Sequence, residues 1–210
     1  MRLERLEATQ RPEKLKAVFD GEALTVSASL CVQFSLCAGM ELDEEAFSAL
    51  KAAVAKEAAR ERAVRILTAS AVSERELEKR LLQKGMLPSD AADAVAWLKE
   101  HRFLDDAATA AQLVDSAVRK GYGRARVKNI LYEKGIPKDL WEEALARIPA
   151  MDDAIDRFLA AKLRGRPADE KTIKKTIDAL LRRGFSYGEI RDALRRYEAD
   201  LEDLELEETM

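Results

Sequence analysis

Leu81-Leu-Gln-Lys-Gly85-Met, Leu131-Tyr-Glu-Lys-Gly135-Ile and Leu180-Leu-Arg-Arg-Gly184-Phe repeat one pattern at intervals of about fifty residues. In each, an amphipathic run meets a glycine and then an apolar residue, the mark of a helix closed by a left-handed glycine with a hydrophobic contact just beyond it. A second helix should follow each glycine, starting near Ser89, Pro137 or Ser186. Its apolar face reads Ala92, Val95 and Ala96, then Leu140, Ala144 and Leu145, then Ile190 and Leu194. A further helix precedes each glycine helix, over 60–69, 106–119 and 152–163. The unit is therefore three helices, and it occurs three times. Ser73 and Glu76 form an S-x-x-E capping box at the start of the first glycine helix. Gly121-Tyr-Gly123 and Gly165-Arg-Pro167 break the chain at the equivalent points of the second and third. The period exceeds that of tetratricopeptide and ankyrin repeats, and HEAT repeats of similar length hold two helices.

Upstream of the repeats the pattern changes. Leu15-Lys-Ala-Val-Phe19 and Ala23-Leu-Thr-Val-Ser27 flank Asp20-Gly21, a strong signal for a two-residue hairpin turn. A short helix over 30–36 should end at Gly39, and Asp43 should cap a longer helix through Phe47, Leu50 and Val54 that either runs on or breaks near Ala58. The expected fold is mainly α, an elongated tandem array of three three-helix repeats with a small N-terminal β-hairpin. The expected boundaries are 1–57 for the N-terminal extension, 58–103, 104–149 and 150–199 for the repeats, and 200–210 for an acidic, disordered tail.

Composition agrees with a helical array. Glycine and proline are scarce and alanine, leucine, arginine, lysine and glutamate dominate. The formal charge of -3 conceals an asymmetry, because Glu198, Asp200, Glu202, Asp203, Glu205, Glu207 and Glu208 end the chain without an intervening base, leaving the preceding body net basic. Serines and Gln33 interrupt the longest apolar stretch, Val26 to Met40, so no membrane anchor is expected and the protein reads as cytoplasmic. Cys31 and Cys37 lack C-x-x-C spacing and a nearby histidine, and both read as buried, reduced thiols.

Few residues suit catalysis. The single histidine, His101, stands at a helix end beside Arg102, where it reads as a favourable terminal charge. No phosphate-binding glycine loop or nucleophile elbow occurs, so neither enzyme activity nor a cofactor is expected. Asp105 and Asp106 follow Leu104; Asp105 reads as a helix cap and Asp106 as a first-turn acid. Two adjacent carboxylates also suit a metal, but no third ligand is in view, and no metal site is proposed. Phe19, Phe47, Trp97, Trp141, Phe158 and Phe185 fall on apolar faces and read as core.

Basic residues are the functional lead. Arg119, Lys120, Arg124, Arg126, Lys128, Lys134 and Lys138 face a single acid, Glu133, with Tyr122 and Tyr132 interleaved. Such a segment suits phosphates, and Tyr122 offers a stacking face. A second basic stretch holds Lys162, Arg164, Arg166, Lys171, Lys174 and Lys175 and continues to Arg182, Arg183, Arg191, Arg195 and Arg196, partly balanced by acids. The bland reading of both stretches is solvated helix faces; as a group they favour an acidic partner.

Several ordered motifs together resemble the RecX family. Ser73-Glu-Arg-Glu-Leu-Glu-Lys-Arg-Leu-Leu-Gln-Lys-Gly85 is similar to its serine-capped helix, Leu104-Asp105-Asp106 to its Leu-Asp-Asp element, and Lys120 to Ile136 to its Gly-Tyr-Gly segment. Arg183-Gly-Phe-Ser186, with Ile190 and Leu194, resembles the third repeat, and the resemblance spans residues 14 to 197. The chain departs from the family at Thr109 and Leu113, where aromatic residues are common, and at Arg124, which replaces a proline. The resemblance implies a non-enzymatic modulator that binds in the groove of a RecA filament on single-stranded DNA and blocks its strand exchange, ATPase and coprotease activities. A monomer that touches RecA and single-stranded DNA is expected, with Arg119, Lys120, Tyr122, Arg124, Arg126 and Lys128 as first candidates and Arg182 and Arg183 as second. The alternative is a direct DNA-binding helical-repeat protein acting without RecA. The acidic tail is expected to compete with the acidic partner. Removing residues 198–210 should therefore tighten binding to a labelled oligonucleotide, measured by fluorescence anisotropy at fixed salt.

Overall fold

The computed structural model describes residues 1–163 and 169–208, with side chains as far as 199. Gly165, Pro167, Arg164 and Arg166 lie outside the described residues. The chain forms two compact units. One comprises Met1–Ser70 and Leu77–Leu104, and the other Ala71–Glu76 and the chain from Asp105.

The first unit opens with an antiparallel sheet of three strands in sequence order, β1 (Leu3–Ala8), β2 (Lys14–Phe19) and β3 (Glu22–Ser27). Asp20 and Gly21 both take positive φ, 37° and 87°, and close the β2–β3 hairpin as the Asp-Gly pair requires. The expected hairpin is thus present, but it is enlarged by β1. That strand, Leu-Glu-Arg-Leu-Glu-Ala, carries helix formers and only one buried residue, Leu3, so neither propensity nor alternation reveals it. Pairing with β2 defines it, with a register irregularity between Leu3 and Arg5, and Leu3 also exchanges bonds with Met40 O and the Gly39 amide.

Ser27 caps α1 (Ala28–Gln33), its hydroxyl accepting from the Leu30 amide, and Asp43 caps α2 (Glu44–Ala69) by accepting from Ala46 at 2.7 Å. Helix α2 runs on past Ala58, so the first helix of repeat one is its second half. Phe19 and Phe47 meet edge to face at 5.0 Å in a core shared with Leu3, Val26 and Leu50. Lys14, almost fully buried, places its amine between Glu57 and Glu61 of α2, whose carboxylates hold its pKa above the ordinary value against the cost of desolvation. The expected burial of the cysteines holds in part for Cys31, which packs against this core, and not for Cys37. Leu30 and Leu36 take the inward positions around α1, leaving Cys31 half-buried, its thiol pKa pushed up by desolvation, and Cys37 exposed.

Helix α2 packs against α4 (Pro88–Glu100), and Leu77 and Leu81 of α3 (Glu74–Gln83) are fully buried. The buried face of α4 is Ala91, Ala94 and Leu98, one residue away from the expected Ala92, Val95 and Ala96. Alanines on every side of that helix make its periodicity degenerate, and Leu98 decides the face. Trp97, Trp141 and Phe158 are half-buried, whereas Phe19, Phe47 and Phe185 are buried.

The second unit carries α5 (Asp106–Arg119), α6 (Arg124–Glu133), a 3-10 turn (Lys138–Leu140), α7 (Trp141–Ala146), α8 (Asp152–Leu163), α9 (Glu170–Arg182) and α10 (Tyr187–Glu208). Helical backbone continues through the acidic stretch as far as Glu208, where composition suggests an unstructured tail. Val114, Val127, Leu131 and Leu145 centre one core, and Ile155, Leu159, Leu180 and Ile190 the other. Ser186 and Glu189 make a reciprocal capping box at the head of α10.

All three repeat glycines are left-handed, with φ of 78°, 70° and 90° at Gly85, Gly135 and Gly184. Each closes its helix with the same pair of bonds: the glycine amide donates three residues back and the next amide five back, as Gly135 to Tyr132 O and Ile136 to Leu131 O, both 3.0 Å. Two of these turns then receive the first turn of another helix. The Gly123 and Ala125 amides donate to the Arg183 and Gly184 carbonyls at 2.9 and 3.1 Å, so the start of α6 is capped by the end of α9. Orphan donors meet orphan acceptors, and opposite ends of two helix dipoles face each other. At Gly135 the partner is the start of α3: the Ser73 hydroxyl donates to Lys134 O at 2.5 Å, and Lys134 Nζ meets Glu76 Oε1 at 3.3 Å. The third turn differs, since Lys84 O accepts from Arg62 Nη1 at 3.2 Å and a Cβ on Gly85 would meet open space.

A Cβ on Gly184 would fall 2.6 Å from Arg126 Cβ, besides requiring a left-handed alanine. Gly184→Ala should therefore cost well over the roughly 1 kcal/mol expected of Gly85→Ala, whose penalty is backbone strain alone. Thermal unfolding followed by circular dichroism measures both; equal losses would contradict close packing at Gly184.

Candidate nucleic-acid and partner interface

The segment from Arg119 to Lys128 is shaped by the turn that joins α5 to α6. Gly121, at φ 68°, ends α5, with its amide on Val118 O and the Tyr122 amide on Ala117 O. Gly123 then becomes the N-cap of α6, where a Cβ would lie 2.7 Å from the Phe185 amide nitrogen. The Gly-Tyr-Gly motif thus reflects close backbone approach, and it places Arg119 and Lys120 at one end of α5 and Arg124 at the first position of α6.

Arg183 binds the joint from both sides. Its carbonyl accepts from Gly123, and its Nη1 donates to Lys120 O at 3.1 Å and Gly121 O at 3.4 Å. The guanidinium lies 4.8 Å from the Phe158 ring centroid and 5.9 Å from that of Tyr122. Tyr122 is half-buried against the α5–α6 core, so the ring expected to stack a base already packs on protein and faces Arg183. Arg124 Nη1 donates to Leu145 O at 3.2 Å, and Arg126 pairs with Glu133 at 3.3 Å.

The remaining candidates are different. Arg119, Lys120, Lys128 and Arg182 are exposed and carry no ion pair among the described residues. Of the eight candidates, Tyr122 and Arg183 are therefore built into the fold, Arg126 meets Glu133, Arg124 reaches Leu145 O while its charge meets no carboxylate among the described residues, and the other four leave their charge to solvent. Elsewhere in the second basic stretch, Arg196 is engaged by Asp156 and Asp152 at 2.9 and 3.2 Å, and Arg191 by Asp192 at 3.5 Å.

Asp105 accepts from the Ala107 and Ala108 amides and caps α5. Asp106 is buried and accepts from the Glu74 amide at 2.9 Å, which stabilises the first turn of α3 rather than only its own helix. Each carboxylate of the acidic pair thus receives backbone amides at the start of a helix. His101 ends α4, its Nδ1 2.8 Å from Trp97 O. Among the described residues no group of three or more His, Cys, Asp or Glu is placed to hold a metal, and no helix is long and apolar enough to cross a membrane. Sequence reasoning missed the inter-repeat contacts of Ser73 and Asp106, because capping motifs in a sequence suggest bonds within one helix.

Comparison with known proteins agrees with this architecture. Residues 59–98, 105–145 and 152–194 match the first, second and third three-helix domains of RecX. Regulatory protein RecX from Escherichia coli O1:K1 is 34% identical over 151 residues, covering 65% of this chain and 90% of that protein, and its counterpart from strain SMS-3-5 gives the same figures. A crystal structure of regulatory protein RecX shares the fold at 23% identity with a TM-score of 0.69, over 91% of this chain and 98% of that one. A RecX structure from Lactobacillus salivarius aligns at 19% identity with a TM-score of 0.58, over 70% of this chain and 99% of that one. With three tandem three-helix domains in order and this degree of identity over most of a relative's length, the chain belongs to the RecX family.

Proposed function

We propose that this chain is a non-enzymatic regulator of RecA, one that binds the RecA filament on single-stranded DNA and lowers its ATPase, strand-exchange and coprotease activities. Family membership supplies the general direction. The observation that carries the reading to residues is a set of exposed cations at α5, α6 and α9 with no ion pair among the described residues: Arg119, Lys120, Lys128 and Arg182. A charge that no carboxylate neutralises is available for a phosphate, and desolvating it costs no internal ion pair. The structural roles found for Tyr122, Arg126 and Arg183 move the weight of the reading from them to these four.

Substoichiometric protein added to RecA hydrolysing ATP on single-stranded DNA should slow hydrolysis. Charge reversal at Arg119 and Lys128 should remove most of that effect while leaving the circular dichroism melting curve in place. The same variant should bind single-stranded DNA more weakly, with a log–log salt slope reduced by about one for each phosphate no longer neutralised. Equal binding to DNA with and without RecA, and no change in hydrolysis, would contradict a RecA regulator and favour direct DNA binding.

A further inference from the structure

Helix α6 has one feature that the fold does not explain. Val127 and Leu131 are fully buried and Ile130 packs beside them, yet Tyr132 is 67% exposed, and its ring and hydroxyl have no partner among the described residues. An aromatic side chain loses a large hydrophobic gain by standing in water. Tyr132 shares its helix face with Arg124 and Lys128, spaced four and four residues apart, so the three form a stripe roughly 12 Å long. Lys128 is exposed, and Arg124, though bonded to Leu145 O, is exposed too; neither meets a carboxylate among the described residues. Beyond the helix end, Arg75 lies against Gly135, where a Cβ would sit 3.2 Å from its side chain, and it too has no ion pair among the described residues. A solvent-facing ring is therefore flanked along its own helix by cations, and continued by another just past the helix end.

Other exposed aromatic residues lack this setting. Tyr187 has Arg191 one turn on, but that side chain meets Asp192. Phe103 is 61% exposed in the loop after α4 and has no cationic helix face of its own. The positions equivalent to Tyr132 in the other repeats, Leu82 and Leu181, are also exposed, but a leucine offers no π face.

We propose that Tyr132 is the base-stacking residue of a single-stranded nucleic-acid track along α6, with Lys128 and Arg124 holding the phosphates on one side of it and Arg75 on the other. This rests on the nucleic-acid contact proposed for the RecA regulator and gives it a ligand class: unpaired bases, whose faces are open, rather than a duplex, whose faces are not. Stacking needs no particular base, so sequence preference should be weak.

The test uses the full-length protein and two fluorescein-labelled probes, oligodeoxythymidylate of about 30 nucleotides and a duplex of equal length, followed by anisotropy. Tyr132→Ala should weaken oligodeoxythymidylate binding by about tenfold, leave the duplex within about twofold, and leave the salt slope unchanged, because every phosphate-binding cation remains in place. Tyr132→Phe should bind as the parent does, and the added indole of Tyr132→Trp should lose fluorescence when the oligonucleotide binds, which checks the site without truncating it. Single-strand binding by Tyr132→Ala equal to the parent, with Lys128→Glu weakened, would overturn the stacking proposal and leave the charge reading intact. Failure of both variants to change binding would overturn both. If Tyr132→Ala binds the oligonucleotide normally but no longer affects RecA ATP hydrolysis, the ring contacts protein and the proposal is wrong.

Discussion

The end of α9 delivers its last carbonyls to the first amides of α6, and much of the second unit is arranged around that meeting. Every helix leaves donors at one end and acceptors at the other that must find partners or water. Here the two ends satisfy each other through the backbone, which demands an approach that no side chain at Gly123 or Gly184 would permit. The conspicuous glycines on either side of the joint therefore answer to one constraint. Arg183 completes it, holding the preceding turn with its side chain while its own carbonyl is held in return.

Ser73 and Asp106 solve the same problem at the start of α3 with side chains in place of backbone. A hydroxyl reaches the carbonyl that precedes Gly135, and a carboxylate from the head of α5 receives the Glu74 amide. The Leu-Asp-Asp element thus belongs to two helices at once, since Asp105 caps its own and Asp106 serves another. Both aspartates thus have an architectural role, which accounts for their place in the motif.

Most of the helical order was legible in the sequence because each glycine turn couples a local signal to a period of about fifty residues. Asp43 and the Asp20-Gly21 turn were legible for the same reason: one residue's chemistry dictates a nearby dihedral or bond. Strand β1 was not, because its residues favour helix and only the ladder with β2 makes it a strand. The α4 face slipped by one position where alanines surround the axis, and of the two cysteines that looked apolar Cys31 packs against the core while Cys37 stands in solvent. The candidate site was legible as a basic segment but not as individual roles. Composition counts Arg119 and Arg183 alike; only the folded chain shows that one charge has no ion pair among the described residues and the other lies close to two aromatic rings. For the same reason the tyrosine named first, Tyr122, proved to be packing, and the one in solvent, Tyr132, carried no distinguishing mark in the sequence.

The glycine turn after α3 differs from its two counterparts in what meets it. Arg62, from the second half of the long α2, donates to the Lys84 carbonyl, where the other two turns receive the start of another helix. The first module thus supplies an acceptor's partner from its own leading helix, and its glycine escapes the backbone crowding that leaves no room for a methyl at Gly184.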